Sequence, residues 1–223
     1  MMKRIPEPEL MNTEKQARAY AMADFNNPNW LFVEYFKNSF SEKEIIGTIL
    51  DLGCGPADIT LRFARLFPKC HIHGVDGAES MLKYGQAAVK NAGLTNRISL
   101  IHGCLPDVRL PLAKYDAIIS NNLLHHPVFP MALWETIKTY SKRGAPIMIM
   151  DIIRPGSKEE AGIIVENFMG NEPAILKKDF FSSLLAAYRV DEVQEQLRQA
   201  DLDNSLSVVM VSSIQMVVKG IIS

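Results

Sequence analysis

The sequence predicts an α/β fold, a mostly parallel sheet with helices on both faces. Three observations carry that reading. Short, nearly continuous apolar runs such as Ala117-Ile118-Ile119 and Pro146-Ile147-Met148-Ile149-Met150 recur from residue 46 onward, as expected of strands buried on both faces. Helical stretches long enough for crossovers separate them. Two of the runs stop at an acid, Asp51 and Asp76, and the first leads into a glycine-rich turn, the arrangement of a ligand lying across parallel strand ends.

Residues 12–40 read as helical. Asn12-Thr13-Glu14 offers a cap and an acidic first turn. Asn26-Asn27-Pro28-Asn29 interrupts the pattern, and a second helix covers about 29–39 with Trp30, Phe32, Val33, Tyr35 and Phe36. These rings suit either packing onto the domain or a lid over a ligand crevice. Strands then fall at about 48–52, 71–75, 98–102, 116–120 and 146–151. The helices among them fall at about 57–67, ended by Pro68, at about 78–92, ended by Asn91-Ala92-Gly93, and at about 130–141. Beyond 155 the order changes to helices at about 157–170, 174–187 and 190–200. A hairpin of 206–211 and 214–220 about Ser212-Ser213 closes the chain, its last strand antiparallel to the rest. With no repeat and no low-complexity linker, this is one domain with two helical additions. Residues 1–45 are expected to be an N-terminal helical lid, and 46–223 the main domain with a helical insertion at about 156–188.

Composition limits the function. Hydrophobic content of 48% with 22% charged residues is that of an ordinary globular protein. A net charge of -1 without a Lys/Arg run gives none of the basic footprint of nucleic-acid binding. Met1 to Leu10, with Pro6 and Pro8, holds no apolar signal-like segment, and no run approaches the ~20 apolar residues of a membrane span. Cys54, Cys70 and Cys104 are far apart with no C-x-x-C, so reduced thiols, a cytoplasmic location and no structural zinc are expected. Nothing in the pattern sets an oligomeric state.

The chemistry centres on Ile49-Leu50-Asp51-Leu52-Gly53-Cys54-Gly55-Pro56-Ala57-Asp58-Ile59-Thr60 and on Ile72-His73-Gly74-Val75-Asp76. Glycines allow close backbone approach to a ligand, and a carboxylate after the second strand can accept both hydroxyls of a ribose. The third glycine of the dinucleotide pattern G-x-G-x-x-G is missing. The stretch instead resembles the first motif of the class I S-adenosylmethionine-dependent methyltransferases, with Pro56 and Ala57 where that family often has a third glycine. The resemblance covers about 48–155 well and the terminal hairpin loosely. It implies a Rossmann-like, seven-stranded sheet with an antiparallel C-terminal strand. It also implies cofactor contacts from Asp51, Gly53, Cys54, Gly55, Asp76, Gly77 and Met81. Gly103, Cys104 and Leu105 would lie near the adenine, with Cys104 standing where the family often places an acid. Tyr115-Asp116-Ala117-Ile118-Ile119-Ser120-Asn121-Asn122-Leu123-Leu124-His125-His126 is similar to the family's strand that opens with F/Y-D and ends in L-H-H. Its Asn121 and Asn122 would meet the cofactor, or serve as ordinary turn residues.

His125 and His126 are candidates for a catalytic base, since a neutral imidazole accepts a proton near pH 7; packing or helix capping is the bland alternative. No metal is expected, because adjacent histidines on a strand or helix point apart and no third ligand is evident. Asp151 and Arg154, at the end of the fifth strand, are candidates to bind a polar or anionic acceptor, or to form a local ion pair. Tyr20, with Phe25 and Trp30, falls in the lid and is a candidate acceptor contact. The resemblance implies methyl transfer from S-adenosyl-L-methionine to a small molecule, with S-adenosyl-L-homocysteine as product. A protein or peptide methyltransferase, a non-catalytic S-adenosylmethionine binder and a nicotinamide oxidoreductase are the competing readings.

Overall fold

The apolar runs do become strands, and they assemble into one seven-stranded sheet in the order β3-β2-β1-β4-β5-β7-β6. In the computed structural model, which describes residues 2–7, 13–127 and 129–223, the strands are β1 (Gly47–Leu52), β2 (Cys70–Asp76), β3 (Ile98–His102), β4 (Ala117–Asn121), β5 (Pro146–Ile152), β6 (Leu206–Met210) and β7 (Gln215–Ile221). β1 to β5 pair in parallel, and β7 runs antiparallel to both β5 and β6. Every residue of β5 is buried, which explains its apolar run from Pro146 to Met150.

The helices are α1 (Glu14–Met22), α2 (Asn26–Ser39), α3 (Asp58–Leu66), α4 (Glu79–Asn91), α5 (Met131–Tyr140), α6 (Lys158–Met169), α7 (Ala174–Ala186) and α8 (Val190–Gln199). One core lies where Phe32 and Phe36 of α2 meet Phe63 of α3 and the sheet residues Ile49, Ile119 and Met148. The other joins Leu133, Trp134 and Ile137 of α5 and Leu197 of α8 to Leu50, Ile118 and Ile147. Alternating strand residues thus serve opposite faces.

Two expectations about the N-terminal segment change. The Asn12 cap lies outside the described residues; Thr13 caps α1 by accepting from the Gln16 amide. α2 starts at Asn26 rather than 29, because Asn26, Asn27 and Pro28 form its first turn. Proline is tolerated there, and the Asp24 carboxylate accepts the Asn26 amide.

The Tyr-Asp opening of β4 is structural. The fully buried Tyr115 hydroxyl meets His73 Nδ1 at 2.9 Å. Asp116 accepts the Thr48 amide and pairs with Lys142, bracing the start of β1 beside β4. The direction of strand addition reverses at the β1–β4 pair, so a crevice opens beyond their carboxyl ends. Residues 2–7 run beside that crevice. The Met2 and Ile5 amides donate to the carbonyls of Gly156 and Leu185. Arg4 donates to the carbonyls of Ala186 and His125 and lies 4.3 Å over the Tyr188 ring.

Candidate functional site

Beyond β1 the chain turns through Gly53 and Gly55, both left-handed at φ 74° and 51°. A side chain at Gly53 would meet Leu123 at 3.0 Å, whereas Gly55 faces open space. Ala57 is also left-handed, at φ 68°, in the place of the missing third glycine. Its methyl fits because the facing helix carries Gly85, where an added Cβ would come within 3.3 Å of it. The Asp76 carboxylate ties this turn to β2, accepting the Gly55 amide at 2.8 Å and the Ala78 amide at 2.7 Å.

Two cavities meet over the turn and share Tyr20, Gly53, Gly55 and Asn121. Asp51, Cys54, Phe25 and Asn29 line the first. Asp76, Gly77, Met81, Asn122 and His126 line the second. Asp51 is 2% exposed and accepts the Thr60 hydroxyl at 2.6 Å. Burial, aided by the nearby Asp76 charge and opposed by Thr60, pushes its carboxyl up to about 7. Burial likewise raises Asp76, against the pull of its two amide donors. Burial and the charges of Asp76 and Asp58 push the Tyr20 hydroxyl up to about 12, so it stays neutral. Asn122 is left-handed at φ 55°, and its buried Oδ1 has no partner. An orphaned acceptor at the crevice suits a ligand donor, because an unpaired buried polar atom is costly.

Of the residues expected to contact a cofactor, Asp51, Gly53, Cys54, Gly55, Asp76, Gly77, Met81, Asn121 and Asn122 line one or both of these cavities. Gly103, Cys104 and Leu105 line neither cavity. β3 aligns His102 with Asp76, which puts them beside Gly77 at the crevice edge. There Cys104 is exposed, and Leu105 packs against the core.

The acceptor-side residues separate. Asp151, 2% exposed, does not bind at the crevice surface; its Oδ1 meets His125 Nδ1 at 2.7 Å. Arg154 takes the alternative of a local ion pair. It is 4% exposed, donates to the Ala187 carbonyl and pairs with Glu192 of α8 at 2.6 Å, and lines neither cavity. Its charge is spent inside the fold. His125 and His126 do not diverge, because they lie in a turn after β4 rather than on a strand or helix. Their ring centroids are 4.1 Å apart. His126 Nδ1 bonds Glu7, whose other oxygen accepts the Ser183 hydroxyl at 2.6 Å. Burial opposes a charged His125, yet Asp151 and Glu7 outweigh it and raise its pKa. Burial also works against the Glu7 charge, and the two histidines overcome it to lower its pKa. Glu7 was invisible in sequence: it sits 119 residues from His126 with no local motif around it.

The N-terminal rings also divide. α2 packs with Phe32 and Phe36 fully buried, and Trp30 is 49% exposed near Arg62. α1 sits elsewhere, with Ala17 and Tyr20 against Ala78, Met81 and Tyr84 of α4. Its Gln16 bonds Asp179 of α7, so α1 bridges α4 and α7 beside the crevice.

Comparison with known proteins agrees with this geometry. Residues 49–144 match the family model described as a methyltransferase domain. That stretch, under half of the chain, is therefore similar to a methyltransferase domain. Its relatives include a demethylmenaquinone methyltransferase of Listeria welshimeri, 33% identical over 109 residues, which are 48% of this chain and 45% of that protein. The match therefore spans about half the length of that relative. A solved S-adenosylmethionine-dependent methyltransferase from Aquifex aeolicus has a TM-score of 0.65 at 18% identity, over 95% of this chain and 99% of that one. The plantazolicin methyltransferase BpumL, solved with a pentazolic substrate analogue and S-adenosylhomocysteine, has a TM-score of 0.71 at 12% identity, over 94% and 91%. These likenesses extend the methyltransferase fold over nearly the whole chain. The crevice has features that suit such a cofactor: the left-handed glycine turn, the Asp76 carboxylate and the orphaned Asn122 oxygen. No helix among the described residues is long and apolar enough to cross a membrane.

Proposed function

We propose that the chain transfers a methyl group from S-adenosylmethionine to a small-molecule acceptor. Asp76 would bind the ribose hydroxyls, Gly53 and Gly55 would let the backbone close on the cofactor, and Asp51, Asn121 and Asn122 would meet its polar end. When bound, the cofactor supplies an electrophilic methyl on a sulfonium and leaves as S-adenosylhomocysteine. The chain then has to orient the acceptor, exclude water and take up a proton where the acceptor loses one. His126 borders the same cavity as Asp76 and Asn122. With Nδ1 held by Glu7, its other ring nitrogen is left to accept that proton.

One observation favours a small acceptor over a peptide. Residues 2–7 and α1 run beside the crevice and bond to α7 and to the His125–Pro127 turn, where a peptide would need an open groove. The name of the Listeria relative, a small-molecule methyltransferase, supports the same class.

Calorimetric titration with S-adenosylhomocysteine tests the cofactor half. Binding is expected, and Asp76→Asn should weaken it by about tenfold, the scale of one charged hydrogen bond. Formation of S-adenosylhomocysteine from the methyl donor and a small-molecule extract, but not a peptide library, tests the acceptor class. Binding without turnover on either would favour a non-catalytic binder, and no binding at all would remove the proposal.

A further inference from the structure

Beside the cofactor crevice, three side chains bring together a donor set that methyl transfer alone does not call for. Glu7, His125 and His126 each present a metal-ligating atom, all within 4.8 Å of one another. The three come from two places: residues 2–7 supply the carboxylate, and the turn after β4 supplies both imidazoles.

A second observation is independent of that proximity. His125 is 2% exposed, and its Nε2 has no hydrogen-bond partner. Its Nδ1 is engaged by Asp151 Oδ1 at 2.7 Å. Asp151 is itself buried, and its backbone position at the end of β5 fixes it. A carboxylate on one ring nitrogen with the other left bare is the arrangement that orients a metal-binding histidine and raises its basicity.

We propose that Glu7, His125 and His126 form a binding site for one divalent transition-metal ion of the zinc class, with Asp151 as the positioning residue behind His125. Two imidazoles and one carboxylate are a donor set of catalytic zinc sites, where three protein ligands leave a fourth position open. The nitrogen donors disfavour magnesium and calcium, which take oxygen ligands. Donor atoms around zinc stand ~2.0–2.2 Å from the ion, so small rotations of these three side chains would close the shell. With the ion bound, His126 would act as a ligand instead of the proton acceptor, and because ligands bind deprotonated, binding would release any protons they hold.

The site has a consequence for the acceptor, and that consequence rests on the methyl-transfer reading above. His126 lines the cavity that also contains Asp76 and Asn122. A hydroxyl or thiol of the acceptor could occupy the open position, losing its proton to water as the ion lowers its pKa. That would select heteroatom acceptors over carbon ones.

The experiment is calorimetric titration of the metal-stripped full chain with Zn²⁺, in two buffers of different ionisation enthalpy. One ion per chain is expected, with a dissociation constant of about 1 μM or tighter and heats that differ between buffers through proton release. His126→Ala should weaken binding by more than about 100-fold, and Asp151→Asn by about 10–100-fold through the orientation of His125. Glu7→Gln should weaken it by about tenfold or more. Co²⁺ should give the visible absorption of a four-coordinate site, and Mg²⁺ should not bind. Circular dichroism and a thermal melt confirm that each variant is folded; Glu7 and His126, partly buried on a strap and a turn, cover the case in which the buried His125→Ala does not fold. Zinc binding weaker than about 100 μM by the native chain, or unchanged in folded His126→Ala and Glu7→Gln, would overturn the site. S-Adenosylhomocysteine is titrated in parallel. Zinc binding with no cofactor binding would leave the metal site standing and remove the methyl-transfer reading, and the converse result would do the opposite.

Discussion

The two halves of the crevice are built in opposite ways. Most of the cofactor half comes from one continuous stretch, β1 through the start of α4, in which strand ends, a glycine turn and Asp76 lie within about thirty residues, joined by Asn121 and Asn122 from the end of β4. The half proposed to hold the acceptor is assembled from residues 2–7, α1, the turn after β4, the end of β5 and α7. Its central contact, Glu7 to His126, spans 119 positions. Backbone conformation governs the first half and long-range side-chain pairing the second. They should therefore fail differently when disturbed.

Gly53→Val should show the largest effect. Valine is poorly suited to the left-handed φ of 74°, and its Cβ would press on Leu123. Holding such a residue there costs on the order of 1–3 kcal/mol. Added to the obstruction of the cradle, this should abolish S-adenosylhomocysteine binding while the chain still folds, as calorimetry and circular dichroism would show. Normal binding in this variant would mean that the turn is not the cradle.

His126→Ala is the complementary cut. Turnover should fall by about 100-fold or more, the contribution of a positioned base, with cofactor affinity nearly unchanged. Lost cofactor affinity would erase the distinction between the halves, and an unchanged rate would confine His126 to a structural role.

A third measurement uses pH. The Asp51 carboxyl sits at about 7 against an ordinary 3.8, through burial first. The folded chain therefore holds this proton between the two values. The raised pKa contributes stability that is complete below 3.8 and is lost as pH rises through about 7. A cationic ligand group favours the ionised carboxylate, so binding has to expel the proton. Affinity for S-adenosylhomocysteine should fall below about pH 7 by up to about tenfold per unit, and Asp51→Asn should flatten that slope. A flat profile in the native chain would place the ligand's charge elsewhere.

The smallest effect separates the two N-terminal helices. Amide exchange in α1 should slow severalfold when S-adenosylhomocysteine binds, because Tyr20 borders both cavities. α2 should change little, since Phe32, Val33 and Phe36 are already fully buried in the core. Equal responses would make α1 plain packing rather than a lid.

Strand and helix positions were legible within one or two residues, because period and burial leave a local trace. β5 is apolar from Pro146 to Met150 since both its faces are covered, and α2 was misplaced at its start only because Pro28 looks like a break and can equally occupy a first helical turn. The reversal at β7 followed the family resemblance. Gly53, Gly55 and Asn122 were also legible, since each takes a left-handed φ that favours its residue type, and Asp51 and Asp76 stood out as acids at strand ends. Arg154 was left open because a charge beside a crevice and a charge paired inward to Glu192 look alike in sequence.

By itself, the sequence determined the α/β sheet and the cofactor turn, where the determinants are neighbours along the chain and act through φ, ψ and strand pairing. The tertiary structure alone decided which carboxylates meet the two histidines. Glu7 is carried to His126 by a strap pinned through backbone bonds to residues 156 and 185, and Asp151 reaches His125 because β4 and β5 are adjacent strands. Contacts of that range depend on how the finished elements pack, and packing leaves no mark on the residues next to either partner.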